Sequence, residues 1–372
     1  MKQHRSIVLI LAIAGIVFGV AKTRGGDTQS GDWTIRRSDV QGKVEFSLMD
    51  SRGGHHFHYS SDWPASEFSG LDFAKPGRQE VHFTIARDAG KFECEGFLHD
   101  GEGAGLFHFL PDAKYPQEMK SLGFEKIDGD KQFAMAIHDV SLKFAREIKA
   151  ENLQGLDTDK LIAFRIHGVS PEFIAGIRSA GLNVSDSDKL IAFRIHGVSP
   201  EFISGIRSAG LSAFDSDKLI AFRIHGVSPE FVSGIRSAGL NISDSDKLIA
   251  FRIHGVTPEM IRTLRQTGYE PDADKLIAMR IHGATPEWVE QLKKCGYEHV
   301  DLDKLIAFRI HGVSPEFIGQ LQKLGYAHPE PDQLIAMRIH GVTPDFITGL
   351  KSRGMKNLTV DQLVSLRIHG ID

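Results

Sequence analysis

The stretch DKLIAFRIHGVSPEFISGIRSAGL, residues 188–211, carries the start and stop signals of two short helices. Asp186 stands before the first apolar run as a helix N-cap, and Gly197 follows it where a left-handed C-terminal residue is needed. Ser199 then caps a second run that has Pro200 at its first helical position. The stretch is therefore predicted to be a helical hairpin with a tight turn.

The same hairpin recurs along the C-terminal two-thirds of the chain. Its Arg-Ile-His-Gly motif occurs eight times, 29 residues apart except for one step of 28 residues. A fixed period of this length is typical of proteins in which each repeat is one supersecondary unit. The histidines of the motif are His167, His196, His225, His254, His282, His311, His340 and His369.

The apolar pattern of the unit predicts stacking. The first helix is apolar nearly all round, with Leu190, Phe193 and Ile195, so we expect it to be covered on several sides. The second helix has a single stripe that contains Phe202 and Ile206. One unit cannot bury enough apolar surface to offset the ordering of its own chain, so successive units must stack. The predicted fold is an αα-hairpin solenoid.

Residues 27–112 have a different pattern. Apolar residues such as Phe46 and Leu48 alternate with polar ones, as in half-buried strands. Asp88-Ala89-Gly90 and Asp100-Gly101 separate such runs and are typical of hairpin turns. We expect roughly five to seven antiparallel strands here, forming a small sheet or sandwich. The fold class is therefore α+β multidomain.

A helical cap is expected between these two regions. The segment 130–141 falls in register with the repeats, because His138 lies 29 residues before His167. The predicted domains are a signal peptide or membrane anchor, an antiparallel β domain, a helical cap with a degenerate repeat, and a solenoid of seven full repeats plus a terminal half repeat. Their boundaries are 1–26, 27–112, 113–157 and 158–372.

The N-terminus has the pattern of an export signal. Lys2 and Arg5 precede an apolar run from Ile7 to Ala21, and polar residues follow. Such a run suits the core of a signal peptide but is short for a membrane span, which needs about 20 residues. We predict a cleaved signal, with a retained membrane anchor as the alternative. Either one places the rest of the chain in the periplasm or outside the cell.

Composition narrows the class of partner. The net charge is -4, so the chain has no overall basic field to attract nucleic acid. The two cysteines, Cys94 and Cys295, lie in different predicted domains, which argues against a disulfide. Alternation places Cys94 on the apolar face of a strand, where we expect a buried thiol.

Two rows of polar residues in the repeats are candidates for function. The arginines of the motif could recruit an anionic partner, but we expect each to pair with an acid such as Asp188 or Glu201. They are still the best binding-surface candidates after the variable loop residues: Arg165, Arg194, Arg223, Arg252, Arg280, Arg309 and Arg338. Arg367 holds the same position in the terminal half repeat. The histidines are expected to stabilise helix ends. A spacing of about 10 Å between stacked helices is too wide for a shared metal.

The β domain contains the densest histidine cluster. His55, His56 and His58 are weak candidates for a metal site, because no cysteine or carboxylate stands at a matching spacing. An exposed polar strand is the favoured interpretation. The glycine-rich segment 100–105 lacks the pattern of a phosphate or calcium loop. No catalytic motif is recognised, so we predict neither an enzyme nor a cofactor.

The motif also supports a family resemblance. The units Arg-Ile-His-Gly-Val-Ser/Thr-Pro-Glu-Phe-Ile, with segments 95–97 and 103–109, resemble a group of bacterial exported proteins. Similar repeats follow the membrane metallopeptidases of the beta-lactam-sensor type. The peptidase's zinc-ligand motif is absent from this sequence, so the resemblance implies envelope signalling or protein interaction rather than proteolysis. The working hypothesis is an extracytoplasmic scaffold that binds a protein or peptide. The alternative is a metal- or small-ligand-sensing envelope protein.

Overall fold

A computed structural model describes residues 29–50, 57–212 and 214–371. These residues form a six-stranded antiparallel sheet followed by eighteen α-helices, which confirms the predicted β domain and helical solenoid. The chain divides into two compact parts, Met1–Arg146 and Glu147–Asp372. The predicted signal or anchor, residues 1–26, lies outside the described residues. Among the helices that are described, none is long and apolar enough to cross a membrane.

The sheet has the strand order β3-β2-β1-β6-β5-β4, with every neighbouring pair antiparallel. Asp100 and Gly101 both have positive φ, as a two-residue type I′ hairpin requires, so this predicted turn is confirmed. Asp88 and Ala89 join the preceding pair of strands, as predicted. The strands are β1 (Ser30–Arg37), β2 (Lys43–Asp50), β3 (Phe57–Pro64), β4 (Arg78–Arg87), β5 (Gly90–His99) and β6 (Glu102–Pro111).

The single sheet curls around its own apolar face. The ring centroids of Trp33 in β1 and Phe83 in β4 are 5.1 Å apart. These strands are three positions apart, which would be about 14 Å in a flat sheet with strands about 4.8 Å apart. Gly96 and Gly105, opposite each other in β5 and β6, leave room for the indole, whose Nε1 donates to the Glu95 carbonyl at 3.1 Å. A second sheet is therefore not needed to bury the core.

Helices α1 (Tyr115–Ser121), α2 (Gly129–Ile137) and α3 (Leu142–Ala150) follow the sheet. Phe133 of α2 packs among Phe92, Phe107 and Phe109, with ring centroids 5.2–6.1 Å from its own. Gln132 donates to two backbone carbonyls of the β domain, each at 2.7 Å. The degenerate repeat thus supplies a helix that covers the curled sheet.

Cys94 provides a direct test of this core. The side chain is 4% exposed, and burial raises the pKa of the thiol well above its usual value. Because the thiolate is the reactive form, we expect the native Cys295→Ser variant to give no reaction with a thiol reagent at pH 8. In denaturant, the same variant should react with one equivalent of the reagent per chain. Rapid labelling of the native variant would contradict the assigned face of β5.

The remaining helices form seven hairpins and a terminal helix, and the first helix of each hairpin contacts its counterpart in the next repeat. The first helices are α4 (Thr158–His167), α6 (Ser187–His196), α8 (Ser216–His225), α10 (Ser245–His254), α12 (Ala273–His282), α14 (Leu302–His311), α16 (Pro331–Ile339) and α18 (Val360–Ile368). The second helices are α5 (Pro171–Ser179), α7 (Pro200–Ser208), α9 (Pro229–Ser237), α11 (Pro258–Gln266), α13 (Pro286–Lys294), α15 (Pro315–Lys323) and α17 (Pro344–Ser352).

The helices begin and end at the capping residues that the sequence predicts. Asp186 accepts a hydrogen bond from the Lys189 amide, and Ser199 accepts one from the Phe202 amide. Gly197 has φ of 71°, the left-handed conformation of a helix C-cap. The side chains of Leu190, Phe193 and Ile206 are fully buried between the stacked helices.

Candidate interaction surface on the first helices

One apolar position of the repeat is not buried. The first helix is predicted to be covered on several sides, and Ile195, which is 57% exposed, lies on a side that is not covered. The equivalent isoleucine of every repeat is 53–58% exposed. We call this set the isoleucine row: Ile166, Ile195, Ile224, Ile253, Ile281, Ile310, Ile339 and Ile368.

Helical geometry explains the exposure. Ile195 lies about 200° round the helix from Phe193 and about 140° from Leu190, the two residues that face the second helices. It therefore points away from the core. Ile191, one turn earlier, shares its face and is half-buried, as is Ala192. The sequence places Ile195 and Phe193 on opposite sides of the helix, but because the helix is apolar nearly all round, the sequence does not show which of the two faces solvent.

The isoleucines form one line across the stack. Consecutive first helices bring their Cα atoms within 8 Å of one another. Helices packed in this way have axes about 8–10 Å apart, so the isoleucine side chains recur at about the same interval. Contacts between first helices are also more extensive than those between second helices over most of the array. The isoleucine row therefore lies on the more tightly packed side of the stack.

A charged margin runs beside the row, at the N-terminal ends of the first helices. Each full unit except the seventh has two aspartates and one lysine there, as in Asp186, Asp188 and Lys189, which leaves one net negative charge. We call these residues the acidic margin. The aspartates that form ion pairs keep 70–76% of their side-chain surface exposed, against 28–36% for the lysines. Carboxylate oxygens therefore dominate its exposed surface.

Ion pairs within the margin also join consecutive units. The hydrogen bond to the aspartate of the next unit raises the pKa of Lys160, Lys189, Lys218 and Lys247. The bond therefore favours the charged form of these four lysines. The ion pairs are Lys160–Asp188, Lys189–Asp217, Lys218–Asp246, Lys247–Asp274, Lys275–Asp303 and Lys304–Asp332.

The junction between the last two first helices, α16 and α18, differs from the earlier junctions. Gln333 stands at the lysine position of α16, and its amide donates to the Asp361 carboxylate at 3.1 Å. An open cavity of about 370 Å³ lies between α16 and α18, with Ala336, Val364 and Ile368 among its lining residues. The neutral glutamine leaves the charge of Asp361 uncompensated at the end of the acidic margin.

The arginine row joins repeats and does not form a free basic stripe. The Arg194 Nε donates to the His167 carbonyl at 3.0 Å, and its guanidinium lies 4.9 Å from the centre of the Phe173 ring. The predicted pairing with Asp188 is wrong, because Lys160 binds that carboxylate. Asp188 also lies about 9 Å away along the helix from Arg194, whereas the carbonyl end of the preceding helix attracts a cation.

Other arginines of the row repeat these contacts. Arg223, Arg280, Arg309 and Arg338 donate to the histidine carbonyl of the preceding unit. Arg252 stacks over Phe231 and Arg367 over Phe346, both at 4.9 Å, while Arg165 of the first unit is exposed. For the arginines that bind these carbonyls, sequence reasoning expected a carboxylate partner such as Asp188, and the partner in the structure is a backbone carbonyl.

A second set of donors joins the second helices. Arg207 donates to the Gly181 carbonyl at 3.0 Å, and Arg236 donates to the Gly210 carbonyl at 2.8 Å. In the last two hairpins, Gln322 and Lys351 replace the arginine, and they donate to the carbonyls of Cys295 and Leu324. Polar contacts between successive units are therefore made at both the first and the second helices, whereas the isoleucines of the row are exposed beside them.

The metal-site candidates do not form a described site. His58 lies exposed on β3, and His55 and His56 lie outside the described residues. Within the part of the chain that the structure describes, no group of three or more histidine, cysteine or acidic side chains could hold a metal ion. The histidines of the repeat motif are half-buried or exposed at the ends of their helices.

Comparison with known proteins assigns no family to the chain. No family model matches it, and no curated protein matches it either. The resemblance to exported repeat proteins and to sensor peptidase tails therefore stays a prediction.

Proposed function

We propose that the protein is an exported, non-catalytic scaffold that binds a protein or peptide through the face of its first helices. The isoleucine row carries this proposal, because it keeps a large apolar side chain half-exposed in every repeat. Contiguous exposed apolar surface on a soluble protein marks interaction sites. A polar side chain at this position would leave the buried contacts of Leu190 and Phe193 in place.

The energetics favour a long partner. Covering the exposed half of one isoleucine contributes about 1 kcal/mol at about 25 cal/mol per Å². Association itself costs at least about 4 kcal/mol in lost translational and rotational freedom. A partner that touches one or two units would therefore not offset this cost, whereas each further unit that the partner covers strengthens binding. The proposed partner is a segment that follows the row.

The location in the envelope rests on the N-terminal apolar run and on the family resemblance. A part in envelope signalling, with or without a membrane tether, follows from the same two features. The alternative function, a metal- or ligand-sensing protein, rests on the histidine cluster of the β domain. His58 lies exposed on β3 and gives this alternative no added support.

Substitutions in the row test the proposal. We expect the immobilised wild-type chain to retain a partner from envelope extract that the triple variant Ile195→Gln, Ile224→Gln, Ile253→Gln does not retain. Glutamine keeps helix propensity and removes the apolar surface. A matched control, Ser204→Gln with Ser233→Gln, places the same side chain at exposed positions of the second helices. Equal retention by the wild type and the triple variant would rule out the row as the binding surface.

A further inference from the structure

The spacing and charge of this face indicate what kind of segment it binds. We infer that the isoleucine row accepts a basic amphipathic α-helix whose apolar residues recur every seven positions. The inference rests on the proposed function and specifies the partner of the same surface. Three features carry it: the interval between isoleucines, the absence of aromatic rings from the described row, and the charge of the acidic margin.

The interval matches a heptad. Isoleucines on consecutive helices lie about 8–10 Å apart. An α-helix rises about 1.5 Å per residue, so seven residues advance about 10.5 Å along its axis. A helix inclined by about 20° to the row, a common angle between packed helices, advances about 10 Å per heptad. One apolar stripe can therefore contact the isoleucine of each successive repeat without losing register.

An extended segment fits less well. A β-strand covers about 10 Å in three residues, and an odd number of residues turns successive side chains to opposite faces. A polyproline segment also advances about 9 Å in three residues. Polyproline segments bind in grooves lined by aromatic rings. The aromatic rings of the first helices, those of Phe193 and its equivalents Phe164, Phe222, Phe251 and Phe308, are instead fully buried. The exposed face offers aliphatic side chains, which suit the apolar stripe of a helix.

The charge of the surface predicts which residues stand along one flank of the bound helix. Along one side of the row the acidic margin presents two carboxylates for each lysine, for example Asp215 and Asp217 with Lys218. The margin ends at Asp361, where glutamine replaces the lysine. Lysine or arginine residues along one flank of the bound helix would face these carboxylates. On the other side of the row, the arginines are held by carbonyls and rings of the preceding unit and keep their positive charge. The basic flank of the bound helix therefore faces the acidic margin and not the arginines.

A synthetic helix tests the inference with the full-length protein. The probe is a fluorescent 28-residue peptide, four heptads long, with leucine at the first and fourth positions of each heptad and lysine along one flank. We expect saturable binding by fluorescence anisotropy, at peptide concentrations where sedimentation shows a monomer. A peptide of the same composition in shuffled order should bind at least tenfold more weakly. A peptide with glutamate in place of lysine should also bind more weakly.

Variants of the protein separate specific from general binding. The triple variant Ile195→Gln, Ile224→Gln, Ile253→Gln should lose at least tenfold in affinity for the heptad peptide, and the Ser204→Gln, Ser233→Gln control should lose none. Equal affinity for the shuffled peptide, or for the triple variant, overturns the inference. If a partner from extract depends on the row while the heptad peptide does not bind, the helix inference fails and the proposed function stands. If neither depends on the row, both fail.

Discussion

The Phe193→Ala variant is expected to lose about 3–5 kcal/mol of unfolding free energy in the helical array. The ring is fully buried in the centre of the stack, so its removal leaves a cavity that the surrounding helices cannot close. Each unit is stabilised mainly by its two neighbours. The damage should therefore spread to both adjacent interfaces, and the helical signal should unfold in two transitions rather than one.

The neighbouring Ile195→Ala variant is the matched control. It removes an aliphatic side chain two residues away that is 57% exposed, so a loss of about 1 kcal/mol or less is expected. Urea unfolding followed by circular dichroism at the helical minimum measures both variants. Similar losses for the two would mean that the assignment of core and surface on the first helices is wrong.

The Gly105→Val variant is expected to prevent folding of the β domain. A Cβ atom at this position would lie 1.9 Å from the Glu95 carbonyl oxygen and 2.7 Å from the Trp33 Nε1. The first of these is backbone in a paired strand and cannot move without breaking the ladder. Strain of this kind costs more than about 3 kcal/mol, which is a large part of the stability of a small domain.

The change is measured through the tryptophans of the sheet. Trp33 and Trp63 are both 5% exposed or less, so their near-ultraviolet circular dichroism reports the packed core. The control is Ala104→Val, which adds the same side chain at an exposed position of the same strand, where β-branched residues are well tolerated. A native near-ultraviolet spectrum for Gly105→Val would show that the strands do not approach as closely as described.

The sequence alone determined the period, the ends of the helices and the two hairpin turns of the sheet. These features depend on interactions within a few residues, such as the Ser199 side chain and the Phe202 amide. A glycine at a left-handed position, such as Gly197, is likewise a local requirement. Because the same local pattern recurs eight times, the stacked arrangement also followed from the need to bury each unit against the next.

Tertiary structure decided which apolar side chains face solvent and which partners the charged ones take. Ile195 and Phe193 are equally apolar in the sequence, and only the placement of the neighbouring helices exposes one and buries the other. Likewise Arg194 binds a carbonyl 27 residues earlier, because stacking brings the end of the preceding helix beside it. Hydrophobic burial is non-directional. The apolar composition of a helix therefore predicts that the helix is covered, but it does not predict which side stays free for a partner.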